Sequence, residues 1–222
     1  MTKSIVKMND VQKEIKKITS GLNSNKDEGS KKRRIIAAAE QIFAQKGFFE
    51  TTISAIAKEA GVAEGTIYEY FENKKDLLYA VPEQNTIEYA DFALNHLQGI
   101  KGATNKIRKI IWFQLDYFRT HRNYTKIMVL EIRRGPDYFK SKAYEHLKLY
   151  SDLILTIIRE GIRDGEIVSD VNPYIVRDMI LGTIEHISIP WLVFGREIPI
   201  DDLVEDICKV IFSGLSLKDM AF

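Results

Sequence analysis

One segment of the chain, residues 51–74, constrains the fold more than any other. It reads TTISAIAKEAGVAEGTIYEYFENK. Gly61 comes at a position where a helix often ends in left-handed backbone, which glycine adopts without strain. Before it, apolar residues recur at the spacing of one helical face: Ile53, Ile56, Ala57 and Ala60. The pattern predicts a short helix, a tight turn and a second short helix.

The residues around the turn agree with this interpretation. Thr52 can cap the first helix by accepting a hydrogen bond from a backbone N–H. Val62 is expected to anchor the turn, and Ile67 and Phe71, four residues apart, can face inward together. Such a helix-turn-helix is a common device for placing a helix in the major groove of DNA. The alternative is an ordinary helical hairpin in a protein core.

The flanking sequence favours the first alternative. Residues 31–46 predict a helix that Gly47 closes, and Asn73 and Asp76 mark the start of a longer helix. Three helices around a small core form the minimal helix-turn-helix domain. The upstream helix has one apolar face: Ile35, Ala38, Ala39, Ile42 and Phe43.

Over about fifty residues the sequence resembles the TetR family of bacterial transcriptional regulators. The resemblance is carried by Phe43, Gly47, Thr51, Thr52, Ile56, Ala57, Ala60, Gly61, Val62, Gly65, Thr66, Tyr68, Tyr70, Phe71, Lys74 and Leu78. It implies an all-α fold with an N-terminal three-helix helix-turn-helix domain and a larger helical domain for effector binding and dimerisation. We expect an extension at 1–29, the DNA-binding domain at 30–79 and the second domain at 80–222.

The resemblance also implies which residues face DNA: Thr52, Ser54, Glu64, Gly65, Thr66, Tyr68, Tyr70 and Lys74. The second helix of the motif has no lysine or arginine, so base contacts need other residue types. Thr66 can donate, accept or touch a thymine methyl group. The Tyr68 and Tyr70 hydroxyls and the Lys74 ammonium are expected to bind phosphates. For Tyr68, core packing is the alternative. Glu64 departs from the polar or basic residue frequent at its position.

The charge distribution is uneven. The net charge is only +1, although a DNA-binding protein usually has a basic surface. Residues 1–34, however, contain ten basic and four acidic side chains. Lys32 and Arg33 lie in a basic run at a helix start, where they oppose the helix dipole. Phosphate contact would offset that cost; a solvated basic end is the alternative.

Composition excludes several other classes of protein. Cys208 is the sole cysteine, which excludes an intramolecular disulfide and fits a reducing cytoplasm. No apolar run approaches the length of a membrane span. We find no catalytic constellation, metal-ligand cluster or cofactor motif, so we predict no enzyme, no metal and no cofactor. The expected location is the bacterial cytoplasm, in association with the nucleoid.

The extension and the second domain are predicted to be helical. Val11, Ile15, Ile18 and Leu22 form an amphipathic stripe, so 1–29 is a mobile arm or a loosely docked helix, with a linker at 20–30. Pro82 should kink or break the fourth helix. Later helices are expected from Thr104 to His121, from Asn123 to Arg134, then at 137–163, 173–194 and 201–214, with a break at Gly135–Pro136.

The second domain has more apolar helix surface than one interior needs. The family dimerises through its last helices, and the resemblance therefore implies a homodimer through 173–194 and 201–214. A dimer would place two recognition helices about one DNA turn apart, as a palindromic operator requires. The alternative is that one monomer buries all of this apolar surface.

A small hydrophobic effector is expected in this domain, because family members usually bind one there. Gln114 falls within an apolar stripe, where it can hold a ligand's polar group or bond to a neighbouring helix. His186 is comparable, and pocket-lining aromatic candidates are Trp112, Phe113, Tyr117 and Trp191. The sequence around Gly182–Thr183–Ile184 and Trp191 loosely resembles repressors of the family that sense fatty acyl-CoA. Another lipophilic metabolite or a drug fits equally.

The expected function is therefore a repressor that binds a palindromic operator in double-stranded DNA as a dimer and is released by the effector. The alternative is an effector-independent DNA-binding protein of the same fold that acts through protein partners, as a nucleoid or cell-division factor. A second domain without a cavity would favour the alternative.

Overall fold

The computed structural model describes residues 8–23, 26–133, 135–195, 197 and 199–213, with the backbone alone at 21–23 and 26–29. Within these ranges all regular structure is helical, which confirms the predicted all-α class. The chain also contains a π-helical segment, Ile127–Ile132, and a 3-10 turn, Pro136–Lys140. The α-helices of the described part are α1 Met8–Asn23, α2 Lys26–Glu50, α3 Ile53–Ala60, α4 Glu64–Tyr70, α5 Lys74–His96, α6 Ala103–Thr120, α7 Arg122–Lys126, α8 Lys142–Arg163, α9 Pro173–Phe194 and α10 Ile200–Ser213.

The chain forms two compact units. The first unit comprises Met1–Glu14, Phe92–Thr120 and Leu149–Phe222, and the second comprises Ile15–Asp91 and His121–Lys148. The second unit thus joins the helix-turn-helix to a later piece of the chain. The domain boundaries expected from the sequence, at 29/30 and 79/80, stay a prediction.

In the second unit, α2 packs against α3 and α7, and α3 packs against α4. Ile35 and Phe43 of α2 are buried, as are Ile56 of α3 and Ile67 of α4. These side chains lie on the apolar faces that the sequence predicts. The small core therefore holds the two helices of the motif in place.

In the first unit, α6 packs against α9 and α10. Ile107 and Ile111 of α6 are fully buried, as are Ile180 and Ile184 of α9. Gly161 marks a close approach between α8 and the start of α6. A Cβ atom there would lie 2.6 Å from the Ala103 Cβ, so the site has no room for a side chain.

Several predicted helix boundaries are wrong. Thr104 does not cap α6; its own N–H and hydroxyl donate to Glu166. The shorter helix begins at Arg122, not at Asn123, and turns π-helical at Ile127. The long helix after Gly135–Pro136 begins at Lys142, because the 3-10 turn precedes it.

Two further expectations differ from the structure. α5 runs through Pro82 without a break, since the helix continues to His96. The predicted linker at 20–30 is largely helical backbone, with α1 ending at Asn23 and α2 starting at Lys26. Val11 and Ile15 of α1 are buried, and the two alternatives for the extension stay predictions. The predicted extension and helices also include residues 1–7, 134 and 214, which lie outside the described residues.

Candidate DNA interface and effector interior

The helix-turn-helix forms as its local sequence predicts. The Thr52 side chain caps α3 by accepting from the Ala55 N–H at 3.1 Å. Gly61 ends α3 with φ 63° and ψ 43°, the left-handed backbone that glycine favours. The next residue, Val62, donates its N–H to the Ala57 carbonyl at 3.0 Å. Its side chain is half-buried, so it anchors the turn only in part.

α4 exposes most of the residues expected to face DNA. Glu64, Gly65 and Tyr68 are exposed, while Thr66 and Tyr70 are half-buried. Tyr68 is 55% exposed, so the core-packing alternative is wrong. On α3 and its cap, Ser54 and Thr52 are exposed as well. Each of these residues is therefore at least partly open to solvent.

Gly65 has no structural requirement to be glycine. A Cβ atom built there meets nothing within 4 Å, and its backbone is not left-handed. Gly65 is the second residue of α4, and glycine is a poorer helix former than alanine. The expected close approach of this backbone to DNA stays a prediction.

The basic run at residues 31–34 is divided between solvent and the motif. It does not stand at a helix start as predicted, because α2 already begins at Lys26. Lys32 and Arg33 are exposed, and the Lys32 Nζ lies 5.5 Å from the centroid of the Phe71 ring, next to the end of α4. Arg34 instead donates from Nη2 to the Ala60 carbonyl at 2.6 Å. Sequence reasoning missed this contact, since the run itself does not show which cation turns inward.

Lys74 makes contacts that its sequence position did not suggest. Its Nζ donates to the carbonyls of Phe48 and Thr51, each at 2.7 Å, and lies 4.5 Å from the centroid of the Phe48 ring. The side chain is half-buried. The expected phosphate contact of Lys74 stays a prediction, but the ammonium already has acceptors inside the protein.

Gln114 is the central polar residue in the interior of the first unit. It is 5% exposed, and its side-chain oxygen accepts from the Tyr150 hydroxyl at 3.0 Å. Of its two sequence alternatives, the structure therefore shows the bond to a neighbouring helix. Sequence reasoning missed Tyr150, because only the packed helices show which side chain meets the amide.

Of the other candidate effector residues, Trp112 and Phe113 pack edge to face, with their ring centroids 5.4 Å apart. Phe113 and Trp191 are buried and Tyr117 is half-buried. Trp112 lines an open groove between α6 and α10, where its Nε1 donates to Asp201 at 2.9 Å. His186 is exposed on α9, so it lies outside the interior that holds Gln114.

The described residues contain no group of three side chains that could hold a metal ion. Among the same residues, no helix is both long and apolar enough to span a bilayer.

Comparisons with known proteins agree with the fold and the motif. Residues 35–81 match the family of bacterial regulatory proteins known as the tetR family, and residues 84–214 match the C-terminal region of YsiA-like proteins. The fatty acid metabolism regulator protein of Bacillus subtilis is 29% identical over 193 residues, which cover 87% of this chain and 100% of that protein.

Two solved structures are similar over nearly their whole length. FadR from Bacillus subtilis, in complex with stearoyl-CoA, has a TM-score of 0.76 and 29% identity, with 83% of this chain and 99% of that chain covered. The fatty acid degradation regulator FadR from Bacillus halodurans has a TM-score of 0.75 and 27% identity, with the same shares covered. The relatives are regulators, which confirms the predicted class, a regulator and not an enzyme. The chain belongs to the TetR family of bacterial regulatory proteins and is a DNA-binding transcriptional regulator.

Proposed function

We propose that the protein is a dimeric repressor that leaves a palindromic operator when a long-chain fatty acyl-CoA binds its first unit. The main support is the similarity to the FadR protein solved with stearoyl-CoA, which extends over 99% of that chain. The protein has one form that fits the operator and one that does not. A ligand can release the DNA only if it binds the second form more tightly than the first.

The interior of the first unit supports an effector that is mostly apolar with one polar anchor. The buried hydroxyls of Thr156 and Ser188 bond to carbonyls of their own helices. Gln114 and Tyr150, by contrast, bond to each other across two helices. Such a pair can exchange its mutual bond for a carbonyl of the effector, while the aliphatic core around it accepts an acyl chain.

The dimer is proposed through α9 and α10, where the exposed apolar side chains of the described chain concentrate. Met179 is 53% exposed and Val210 is 73% exposed. Gly182 shares the outer side of α9 with Met179, and a Cβ there would meet nothing within 4 Å. A second copy covering this face would bury these groups. Other exposed apolar residues of the two helices are Ile175, Val193 and Phe194.

At the DNA, Lys32, Arg33, Tyr68 and Tyr70 are proposed to bind phosphates and so set the register of the motif. Ser54, Glu64, Gly65 and Thr66 are proposed to approach the bases in the major groove, with the Thr52 hydroxyl near the backbone. The proposed place of action follows from this partner: the bacterial cytoplasm, at the nucleoid.

Selection of genomic fragments by the purified protein tests this function. Fragments are captured at two salt concentrations and then eluted with stearoyl-CoA, with coenzyme A as control. We expect a shared palindrome among the captured fragments and elution by stearoyl-CoA alone. Salt-sensitive capture without a shared motif, unaffected by either ligand, would contradict the proposal and favour the effector-independent alternative.

A further inference from the structure

Lys74 opens α5, and its side chain reaches back to the turn between α2 and α3. Its Nζ donates to the Phe48 and Thr51 carbonyls at 2.7 Å each and to the Phe49 carbonyl at 3.4 Å. The face of the Phe48 ring, with its centroid 4.5 Å away, covers the same ammonium. An ammonium has three donors, so these acceptors account for all of them.

The carbonyls at this turn need such a donor. Phe48 and Phe49 follow the non-helical Gly47 (φ 75°, ψ 171°) and are among the last four residues of α2, whose carbonyls have no intrahelical partners. The Gly47 carbonyl accepts from the Thr51 hydroxyl at 2.7 Å. A cation at the C-terminal end of a helix is also favoured by the helix dipole. Lys74 supplies both the hydrogen bonds and the charge.

The turn determines where the DNA-binding motif begins. Thr51, whose carbonyl binds Lys74, directly precedes Thr52, the cap of α3. A change at the turn would therefore shift the start of α3, and with it α4, which packs on α3. Small displacements of this kind matter, because base contacts need hydrogen-bond distances.

We propose that Lys74 is a positioning residue of the DNA interface, which fixes the α2–α3 turn to the start of α5, and not a phosphate ligand. Lys32 differs from it in the structure. Lys32 is exposed and lies near one aromatic ring, so its charge is available to a phosphate. The two lysines thus form a matched pair for one experiment.

The salt dependence of DNA binding separates the two roles. Binding of the selected palindrome, in a duplex of about three helical turns, is measured over a salt series, with a random-sequence duplex of the same length as the reference for non-specific binding. The plot of log K against log salt has a negative slope, and each phosphate contact that is lost reduces the magnitude of this slope by about 0.9. The variants are Lys74→Met, which removes the charge, Lys74→Arg, which keeps it, and Lys32→Met as control.

Both Lys74 variants are expected to lower the melting temperature and to weaken binding of the palindrome by about tenfold with an unchanged slope, because a charge-assisted hydrogen bond that positions the motif is lost. Binding of the random-sequence duplex should change little. Lys32→Met is expected to reduce the magnitude of the slope by about 0.9 at an unchanged melting temperature. Wild-type binding by Lys74→Arg, or a slope reduced in magnitude by about 0.9 in Lys74→Met without a change in melting, would overturn the proposal.

A measurement on the wild-type protein covers the case in which the variants do not fold. The ¹⁵Nζ resonance of the Lys74 ammonium is recorded by NMR with and without the duplex. We expect slow hydrogen exchange in the free protein and no change on DNA binding. A scalar coupling between the Lys74 Nζ and a phosphorus nucleus would overturn the proposal.

Discussion

The Tyr150 hydroxyl donates a hydrogen bond to the side-chain oxygen of Gln114 across 3.0 Å, and both side chains are buried. The bond joins α8 to α6 in the interior of the first unit. An amide placed among aliphatic side chains is costly unless it is satisfied. The pair is therefore both a structural contact and the strongest polar candidate for holding an effector.

The first prediction concerns this pair in the absence of effector. Tyr150→Phe should lower the free energy of unfolding by about 1–3 kcal/mol, because it leaves the buried Gln114 oxygen without its donor. Adding Gln114→Leu should recover part of that loss, since both polar partners are then removed. Urea denaturation of the wild type, the two single variants and the double variant measures the coupling energy between the two residues. Losses of stability that add up in the double variant would contradict the prediction.

The second prediction concerns Gly65. Gly65→Ala should raise the free energy of unfolding by up to about 1 kcal/mol, because alanine is the better helix former. The same change should weaken operator binding, because a methyl group then lies between α4 and the DNA. Thermal melting and operator titration measure the two effects. A stabilised variant with unchanged operator affinity would show that the backbone does not approach the DNA here.

The third prediction is a pH dependence at Glu40. Burial raises the pKa of its carboxyl from 4.5, and the Asn85 amide, which donates to it at 3.2 Å, offsets part of this effect. The folded state thus holds this proton more tightly than the unfolded state. The stability that results is full below about pH 4 and is lost as the pH rises through the raised pKa.

Glu40→Gln removes this titration. The free energy of unfolding of the variant, relative to wild type, should therefore increase from pH 4 to pH 7, as the wild-type carboxylate becomes charged in its buried position. Urea unfolding at several pH values measures the difference. A difference that stays constant over the range, or that decreases, would contradict the burial argument.

The fourth prediction concerns the proposed dimer. Met179→Glu places a carboxylate on the exposed apolar face of α9 and should yield monomers that bind the operator weakly, since burying an unpaired charge is costly. Phe139→Glu is the matched control, because Phe139 is 59% exposed but lies on the 3-10 turn of the second unit. Sedimentation should show a dimer for the control. A dimeric Met179→Glu protein would exclude this face.

The sequence predicts those parts of the structure that depend on local chemistry. Thr52 caps α3 and Gly61 ends it because each needs only its own neighbours along the chain. Asn172 caps α9 ahead of Pro173 for the same reason. Local rules therefore locate the DNA-binding motif and most helix ends.

Contacts between distant residues were not predictable in this way. Lys74 and Phe48 are 26 residues apart, and the bond between Tyr150 and Gln114 spans 36 residues. The spacing of either pair contains no periodic signal. The environment of His186 was not predictable either. Its helical spacing placed it among the effector candidates, but the packing of α9 leaves it exposed.

Release of operator DNA by an acyl-CoA tests the central claim most directly. A fluorescent duplex with the selected palindrome is bound by the protein and titrated with stearoyl-CoA, and in parallel with stearate and coenzyme A. The account predicts release by stearoyl-CoA at one equivalent per protomer, and a weaker response in Gln114→Leu at unchanged operator affinity. Operator binding that stays intact at saturating stearoyl-CoA would contradict it.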